Sequence, residues 1–184
     1  MTDTTTTPAS ARTREAPSAA PVSTTDPRVV RAIELIWREA ELLDRAAYLA
    51  WDGLYTDDGT YVVPIDPETE NFDDVLNMIY DDARMRQMRV TRMVEGYAIA
   101  AVDAARTVRT VSRFVPESVS DTEVVVRSAQ VLIAFKRDRH DIWAADLVHR
   151  IRLSPDGPAD DGIVQKVIRL INSESAVPAA GFLL

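Results

Sequence analysis

Residues 141 to 153 alternate regularly between two sets of side chains, and this alternation restricts the possible folds more than any other feature of the chain. Successive side chains of a β-strand point to opposite faces, so a strand with one apolar face lies on a core. One face would carry Trp143, Ala145, Leu147, His149, Ile151 and Leu153, and the other Ile142, Ala144, Asp146, Val148, Arg150 and Arg152. Three more β-rich stretches, at 106–115, 122–137 and 162–172, predict a sheet of long strands in the second half of the chain.

The first half of the folded region has helical spacing. From Val29 to Leu54 apolar residues recur every three or four positions, which predicts one long helix or two helices with a bend, with Asp44 available as the cap of the second. Asp26 followed by Pro27 is a helix start signal, because the carboxylate accepts backbone N–H groups and proline suits the first helical position. A further helix is predicted over 81–94, supported by an ion pair between Asp82 and Arg86.

Between these helices we predict little regular structure. Asp57-Asp58-Gly59 is a turn sequence, Tyr61-Val62-Val63 is a short strand ended by Pro64, and 66–77 is a loop or a single helical turn. The three tryptophans and Met85, Met88 and Met93 are predicted to fill the core. Helices followed by long antiparallel strands indicate an α+β fold, with the helices packed on one face of a curved sheet.

Residues 1–26 differ in composition from the remainder of the chain. They contain 8 Thr, 5 Ala, 3 Ser and 3 Pro and no aromatic residue, so they cannot bury enough apolar surface to offset the entropy lost on ordering. We expect a disordered tail over 1–26 and a single α+β domain over 27–184.

Charge and residue usage exclude several classes of function. The chain has no cysteine and only two histidines, so it cannot by itself hold an iron–sulfur cluster, a thiolate zinc site or a cysteine nucleophile. Its net charge of −8 argues against nucleic acid as the main partner. No apolar stretch is long enough to cross a bilayer, and no signal peptide begins the chain, so we expect a cytoplasmic location.

The candidate catalytic residues are few. No phosphate-binding loop or nucleophile elbow is present. His140 and His149 lie nine residues apart on one extended strand, so they would face opposite sides and could not share a metal ion. His149 lies on the apolar face, where it could act as a general base beside a carboxylate such as Asp44, or be a core histidine satisfied by one hydrogen bond.

The predicted helix over 81–94 is rich in arginine. Arg84, Arg86, Arg89 and Arg92 follow two acidic residues at its start. This pattern suits either a surface that grips an acidic partner or a solvated helix with ion pairs of its own. Sequence alone leaves both possibilities open.

An ordered set of residues resembles the small (β) subunit of aromatic-ring-hydroxylating dioxygenases. Its members are Glu39-Ala40-Glu41-Leu42-Leu43-Asp44, Tyr48, Trp51, Leu54, Asp57-Asp58, Tyr61, Pro64, Tyr80-Asp81-Asp82, Arg89, Arg92, Arg106-Thr107, Val111-Ser112, the stretch Lys166 to Asn172, and Phe182-Leu183-Leu184. The set covers about 29–184. Two departures concern subfamily rather than fold: Asp103-Ala104-Ala105-Arg106 stands where the family usually has Pro-Pro-Ser-Arg, and Arg113 stands where it has Asn.

The resemblance implies a cone-shaped fold shared with ketosteroid isomerases and scytalone dehydratases. It also implies a non-catalytic structural subunit whose α (large) partner holds a Rieske [2Fe–2S] cluster and a mononuclear Fe(II) and adds O₂ to an aromatic substrate. Electrons would come from NAD(P)H through a reductase, often with a ferredoxin. The absence of cysteine agrees, since a Rieske centre needs two Cys and two His.

In that family β subunits form a trimer against an α trimer, as α3β3. We therefore expect subunit contacts from the apolar end of the chain at Phe182 and from the arginine-rich helix at Arg84, Arg86, Arg89 and Arg92. The alternative hypothesis is a free-standing isomerase, dehydratase or cyclase with the cone fold, which would use His149 and Asp44 in its pocket.

Overall fold

A layer of helices lies against one face of a curved six-stranded sheet in the computed structural model, which describes residues 22–95, 105–174 and 181–184. Among these residues the helices are α1 (Pro27–Asp44), α2 (Tyr48–Asp52) and α3 (Ala83–Val94). The strands are β1 (Tyr55–Pro64), β2 (Asn77–Asp81), β3 (Arg106–Val119), β4 (Glu123–Lys136), β5 (Arg139–Arg152) and β6 (Gly162–Leu170), and a 3₁₀ turn spans Pro158–Asp160. The predicted α+β class and curved sheet are confirmed.

The sheet has the order β2-β1-β6-β5-β4-β3. Strands β3, β4, β5 and β6 follow one another as an antiparallel meander, and β2 pairs antiparallel with β1. One pair departs from the predicted antiparallel sheet, because β1 runs parallel to β6, with Tyr61 opposite Lys166. The last strand, β6, lies between β5 and β1 and so joins the meander to the β1–β2 pair.

Helix α1 begins where the sequence predicts. The Asp26 carboxylate accepts the Arg28 N–H at 2.9 Å, and the side chain of Arg28 also binds it. Hydrogen bonding to Arg28 lowers the pKa of Asp26 to about 2. The stretch from Val29 to Leu54 is two helices with a bend, at which Ala46 adopts a φ of 53°.

Asp44 does not cap the second helix. Helix α2 follows Ala47, which has no capping side chain. The Asp44 carboxylate instead accepts the Thr107 hydroxyl at 2.8 Å and the Arg109 N–H at 2.8 Å on β3, and it pairs with the Arg109 guanidinium. The residue therefore fastens the end of α1 to the sheet.

The turn expected at Asp57-Asp58-Gly59 is wrong. These residues lie inside β1, where its pairing with β6 shifts register between Tyr55 and Thr60. A Cβ at Gly59 would lie 2.7 Å from the Ile163 carbonyl oxygen. The glycine therefore permits close approach of two strands. The structure also adds β2 at Asn77–Asp81, whose first residue falls in the predicted loop and whose last falls in the predicted helix.

The predicted ion pair between Asp82 and Arg86 is also wrong. Asp82 turns back to cap α3 and accepts the Met85 N–H at 2.7 Å. Arg86 points into the protein, where it donates to Asp52 at 2.7 Å and lies 4.2 Å from the ring centre of Tyr55. Helix-surface spacing permits the first pair, but burial of Arg86 selects the second.

The core agrees only in part with the prediction. Trp51 and Trp143 are buried, whereas Trp37 is 54% exposed and touches Phe114 edge-on. Met85 and Met88 are exposed on α3 rather than buried. No helix of the described residues is long and apolar enough to cross a membrane.

Most of the predicted disordered tail, residues 1–21, lies outside the described residues. Its last part forms a turn that leads into α1, and Val22 packs against the core.

Candidate functional site

A carboxylate, a histidine and a lysine meet in the interior between α1 and the sheet. Glu39 lies on the buried face of α1, His149 on β5 and Lys166 on β6. None of the three is more than 2% exposed. The pairing of β5 with β6 brings two of them together, because His149 and Lys166 lie directly opposite each other in the register. We call these three residues the interior cluster.

Glu39 is the centre of the cluster. Its Oε1 accepts Lys166 Nζ at 3.1 Å, the Trp51 indole N–H at 3.0 Å and the Tyr55 hydroxyl at 3.2 Å. Its Oε2 lies 3.1 Å from His149 Nε2. A buried carboxylate is costly unless its oxygens are bonded, and here both oxygens have donors.

The same contacts determine the charges. Burial by itself would raise the pKa of Glu39, but the Lys166 ammonium and the hydrogen bonds from His149 and Trp51 outweigh it and hold that pKa well below its usual range. Burial lowers the pKa of His149 and that of Lys166, against the opposing pull of Glu39. At neutral pH the carboxylate is charged and the imidazole neutral.

A neutral imidazole fits the hydrogen bonds of His149. Nε2 carries the proton and donates to Glu39, which leaves Nδ1 as an acceptor, and Nδ1 has no partner among the described residues. A general base needs a lone pair that a substrate can reach. His149 is fully buried, so the structure gives it the surroundings of a core histidine with one hydrogen bond.

Residues 181–184 close the interior beside this cluster. Leu183 and Leu184 are 4% and 6% exposed. The Leu184 carbonyl accepts Lys166 Nζ at 3.1 Å and the Tyr61 hydroxyl at 3.1 Å, and the Leu183 carbonyl accepts Arg109. Phe182 packs edge-on against Trp143 with ring centres 5.7 Å apart. The segment thus fills space that would otherwise lead to the cluster.

The structure does not bring the predicted pair His149 and Asp44 together. His149 bonds Glu39, whereas Asp44 bonds Thr107 and Arg109. Asp44 follows Glu39 by five residues, which places it about 140° further around the helix. A carboxylate at that angle faces β3 rather than the interior.

Sequence analysis missed Glu39 and Lys166 as members of the site, although both carry a signal. Glu39 lies three residues after Ile36 and four before Leu43, which is the spacing of the buried stripe. Lys166 shares its strand face with Ile168 and Leu170. A charged residue at a position on the apolar face of a helix or strand predicts a buried partner of opposite sign.

The two histidines lie on opposite faces of β5, as predicted. His149 is buried, whereas His140 is exposed and contacts the ring of Phe135. In the described ranges no group of three His, Cys, Asp or Glu side chains is placed to hold a metal ion.

The arginines of α3 divide into two kinds. Arg86 is buried, and Arg89 binds Asp81 through two hydrogen bonds of 2.5 and 3.0 Å. These two hold α3 to β1, β2 and α2. Arg84 and Arg92 are exposed on the surface of the helix.

The departure at Arg113 has a physical consequence. Arg113 lies in β3 at an irregularity between Ser112 and Val115, and its φ is 54°. Asparagine tolerates this left-handed region better than arginine does. The exposed Arg113 side chain pairs with Asp146 on the outer face of the sheet.

Comparisons with known proteins agree with the fold and give the family. A sequence model described as the ring hydroxylating beta subunit matches residues 38–175. The small oxygenase component of the p-cumate 2,3-dioxygenase system of Pseudomonas putida is 34% identical over 121 residues, which are 65% of this chain and 67% of that protein.

Two solved structures share the fold. The beta subunit of benzoate 1,2-dioxygenase from Burkholderia mallei gives a TM-score of 0.67 at 23% identity and covers 88% of this chain and 100% of its own. Naphthalene 1,2-dioxygenase with indole in its active site gives a TM-score of 0.69 at 17% identity, with 84% of each chain covered.

Proposed function

The chain belongs to the ring-hydroxylating beta-subunit family, and from this premise we propose that its role is to support an iron-bearing α subunit that adds O₂ to an aromatic substrate. It is thus the small component of an aromatic-ring dioxygenase, an oxidoreductase. One observation supports a structural role above all: the interior of the cone, where an enzyme of this shape would open a pocket, is filled by Leu183 and Leu184 and by a fully bonded Glu39.

The cofactors belong to the α subunit in this proposal. A Rieske [2Fe–2S] centre takes two thiolates and two imidazoles, and this chain has no cysteine. His140 and His149 lie on opposite faces of one strand, so they cannot contribute jointly to a mononuclear Fe(II) site. The residues of this chain therefore do not fit either group. Electrons from NAD(P)H pass through a reductase, often with a ferredoxin, to the α subunit.

The assembly we propose is α3β3 in the cytoplasm, with the β subunits in contact with one another as a trimer. The net charge of −8 suits a protein whose partners are proteins rather than nucleic acid. Arg84 and Arg92, which are exposed on α3, and the half-buried Phe182 are the residues that we propose for contacts with the α subunit.

Purification from native cells tests this proposal directly. The tagged chain should elute in a brown complex much heavier than 20.4 kDa, with iron and a larger chain in equal molar amount. A colourless, iron-free protein without a larger partner would overturn it.

Two variants refine that test. Reversal of Arg84 and Arg92 to Glu should reduce recovery of the larger chain without unfolding the β subunit, because neither side chain has a buried partner within residues 22–95, 105–174 and 181–184. The alternative is a free-standing enzyme. It would be favoured if the isolated wild-type chain catalysed an isomerisation or dehydration and the His149→Gln variant did not.

A further inference from the structure

Residues 181–184, which we call the closing segment, lie against the inner face of the sheet without belonging to it. None of the four is part of a helix or a strand. Leu183 and Leu184 are buried, and Phe182 is half-buried. A short stretch without regular structure keeps its position only through its contacts with the rest of the fold.

The main chain of the closing segment is bound by side chains. The Leu184 carbonyl accepts Lys166 Nζ and the Tyr61 hydroxyl at 3.1 Å each, and the Leu184 N–H donates to the same hydroxyl at 3.0 Å. The Leu183 carbonyl accepts the Arg109 guanidinium. A further strand would instead bond to the backbone of its neighbour, and no such bond joins 181–184 to the other described residues. The segment is therefore held as a bound peptide is held.

The groups that bind the closing segment are fixed by other parts of the chain. Arg109 is paired with Asp44 at the end of α1, and Lys166 with Glu39 in the interior cluster. The strand that carries Tyr61 is paired on both sides, with β2 and with β6. None of these contacts involves residues 181–184. The donors are therefore in position before the segment binds, which lowers the entropy cost of binding it.

Apolar contacts select the side chains of the segment. Phe182 packs edge-on against Trp143 with ring centres 5.7 Å apart, and Leu183 and Leu184 join the hydrophobic core. In peptide-binding proteins, hydrogen bonds to the main chain give affinity and pockets for side chains give specificity. The interior combines both, and it fits a short peptide with three large apolar side chains in succession.

We propose that the interior of the cone is a peptide-binding site, which the chain fills with its own residues 181–184. The closing segment then opens and rebinds as a unit while the helices and the sheet stay folded, and a separate peptide of the same sequence can take its place. Arg109, Lys166 and Tyr61 are the donors that recognise the peptide main chain. This inference does not depend on the α subunit.

Complementation in two pieces tests the site. A chain that ends at residue 180 is mixed with a fluorescent synthetic peptide of residues 175–184, and fluorescence anisotropy measures binding. We expect saturable binding of one peptide per chain, and the bound peptide should raise the midpoint of thermal unfolding toward that of the full-length protein. Leu183→Ala in the peptide should raise Kd about thirtyfold or more, because it removes a buried leucine.

Two controls separate recognition from nonspecific apolar binding. A peptide with the same ten residues in reverse order keeps the composition but not the order of contacts, and it should not bind. Tyr61→Phe in the truncated chain removes the hydroxyl that bonds both the N–H and the carbonyl of Leu184, so it should raise Kd about tenfold. Tyr48→Phe is its match and should leave Kd unchanged, since Tyr48 is also buried and its hydroxyl forms no hydrogen bond with residues 181–184.

Hydrogen exchange on the full-length protein is a second measurement, which decides the matter if the truncated chain does not fold. Opening of the closing segment alone exposes little new surface, so exchange of the Leu184 amide should depend only weakly on low concentrations of urea. Amides of β5 exchange through global unfolding, and their exchange should depend steeply on urea. The Leu184 amide should also exchange about tenfold or more faster than the slowest β5 amides.

Two results would overturn the proposal. One is a truncated chain that has the circular dichroism of the wild type but does not bind the peptide, or binds the reversed peptide equally well. The other is a Leu184 amide that exchanges at the same rate and with the same urea dependence as those of β5, because the segment would then open only when the whole protein unfolds. Neither result would affect the proposed function, which is tested by recovery of the α subunit.

Discussion

The two faces of the sheet both carry ion pairs, but they hold them in different ways. On the inner face Lys166 and Glu39 are almost completely buried, and Glu39 receives four hydrogen bonds. On the outer face Arg152 and Asp58 pair at 3.0 Å while 49% and 62% exposed. Water replaces a lost partner on the outer face but cannot reach the inner one. Similar distances therefore represent very different contributions to stability.

The largest effect should follow removal of the buried cation. Lys166→Met leaves a charged Glu39 without its ammonium partner, and we expect a loss of about 3–5 kcal/mol in the free energy of unfolding. Arg152→Met, its match on the outer face, should cost less than about 1 kcal/mol. Urea unfolding monitored by tryptophan fluorescence measures both.

A second variant shows whether the loss comes from the unpaired charge. Glu39→Gln combined with Lys166→Met removes both charges, so it should be more stable than Lys166→Met alone. Equal losses for Lys166→Met and Arg152→Met would remove the distinction between the two faces.

The second largest loss of stability should follow a change in residues 181–184, the segment that closes the interior. Leu183→Ala opens a cavity beside the cluster at a position 4% exposed, and buried leucines lose about 2–5 kcal/mol on such truncation. Leu49→Ala, at a position 71% exposed, should change stability by less than about 0.5 kcal/mol. The same urea titrations compare them, and a small loss at Leu183 would mean that the segment does not seal the core.

The third effect depends on pH and belongs to the inner face alone. Because burial lowers the pKa of His149 below its ordinary 6.5, the unfolded chain binds this proton more readily than the folded one. Stability is therefore lost as pH falls from about 7.5 through about 6.5, the ordinary pKa of histidine, toward about pH 5.5. His149→Gln keeps a donor for Glu39 but does not titrate, so its loss over this range should be smaller. Identical pH profiles for the two proteins would contradict this account.

The smallest effect should be a gain on the outer face. Arg113 holds a φ of 54°, which costs an arginine more than an asparagine. Arg113→Asn should raise stability by about 0.5 kcal/mol, since the pair it loses with Asp146 is more than half exposed. Arg150→Asn, with a similarly exposed partner in Glu123, is the control and should give no gain in thermal unfolding.

Sequence patterns predicted the helices and strands better than they predicted which side chains contact each other. The alternation of β5 and the Asp26-Pro27 start signal gave the strand and the helix, because both depend on residues close in sequence. The predicted partners of Arg86 and His149 were wrong. Their actual partners, Asp52 and Glu39, come close to them only through the tertiary fold. The strand β2 was missed for a similar reason: its backbone bonds go to β1, and its side chains are half exposed.

The parallel pairing of β1 with β6 also governs the order in which the protein can form. The β3–β4–β5–β6 meander joins strands that are neighbours in sequence. In contrast, Tyr61 of β1 pairs with Lys166 of β6, more than a hundred residues later. Contacts this distant in sequence form slowly, because the chain entropy of the intervening loop is lost before they are made. During synthesis, α1, β1 and β2 leave the ribosome first yet cannot take their final places until residue 170 has emerged. We expect these early segments to depend on chaperones or on a prompt partner, so a β subunit produced in excess should aggregate through its N-terminal half.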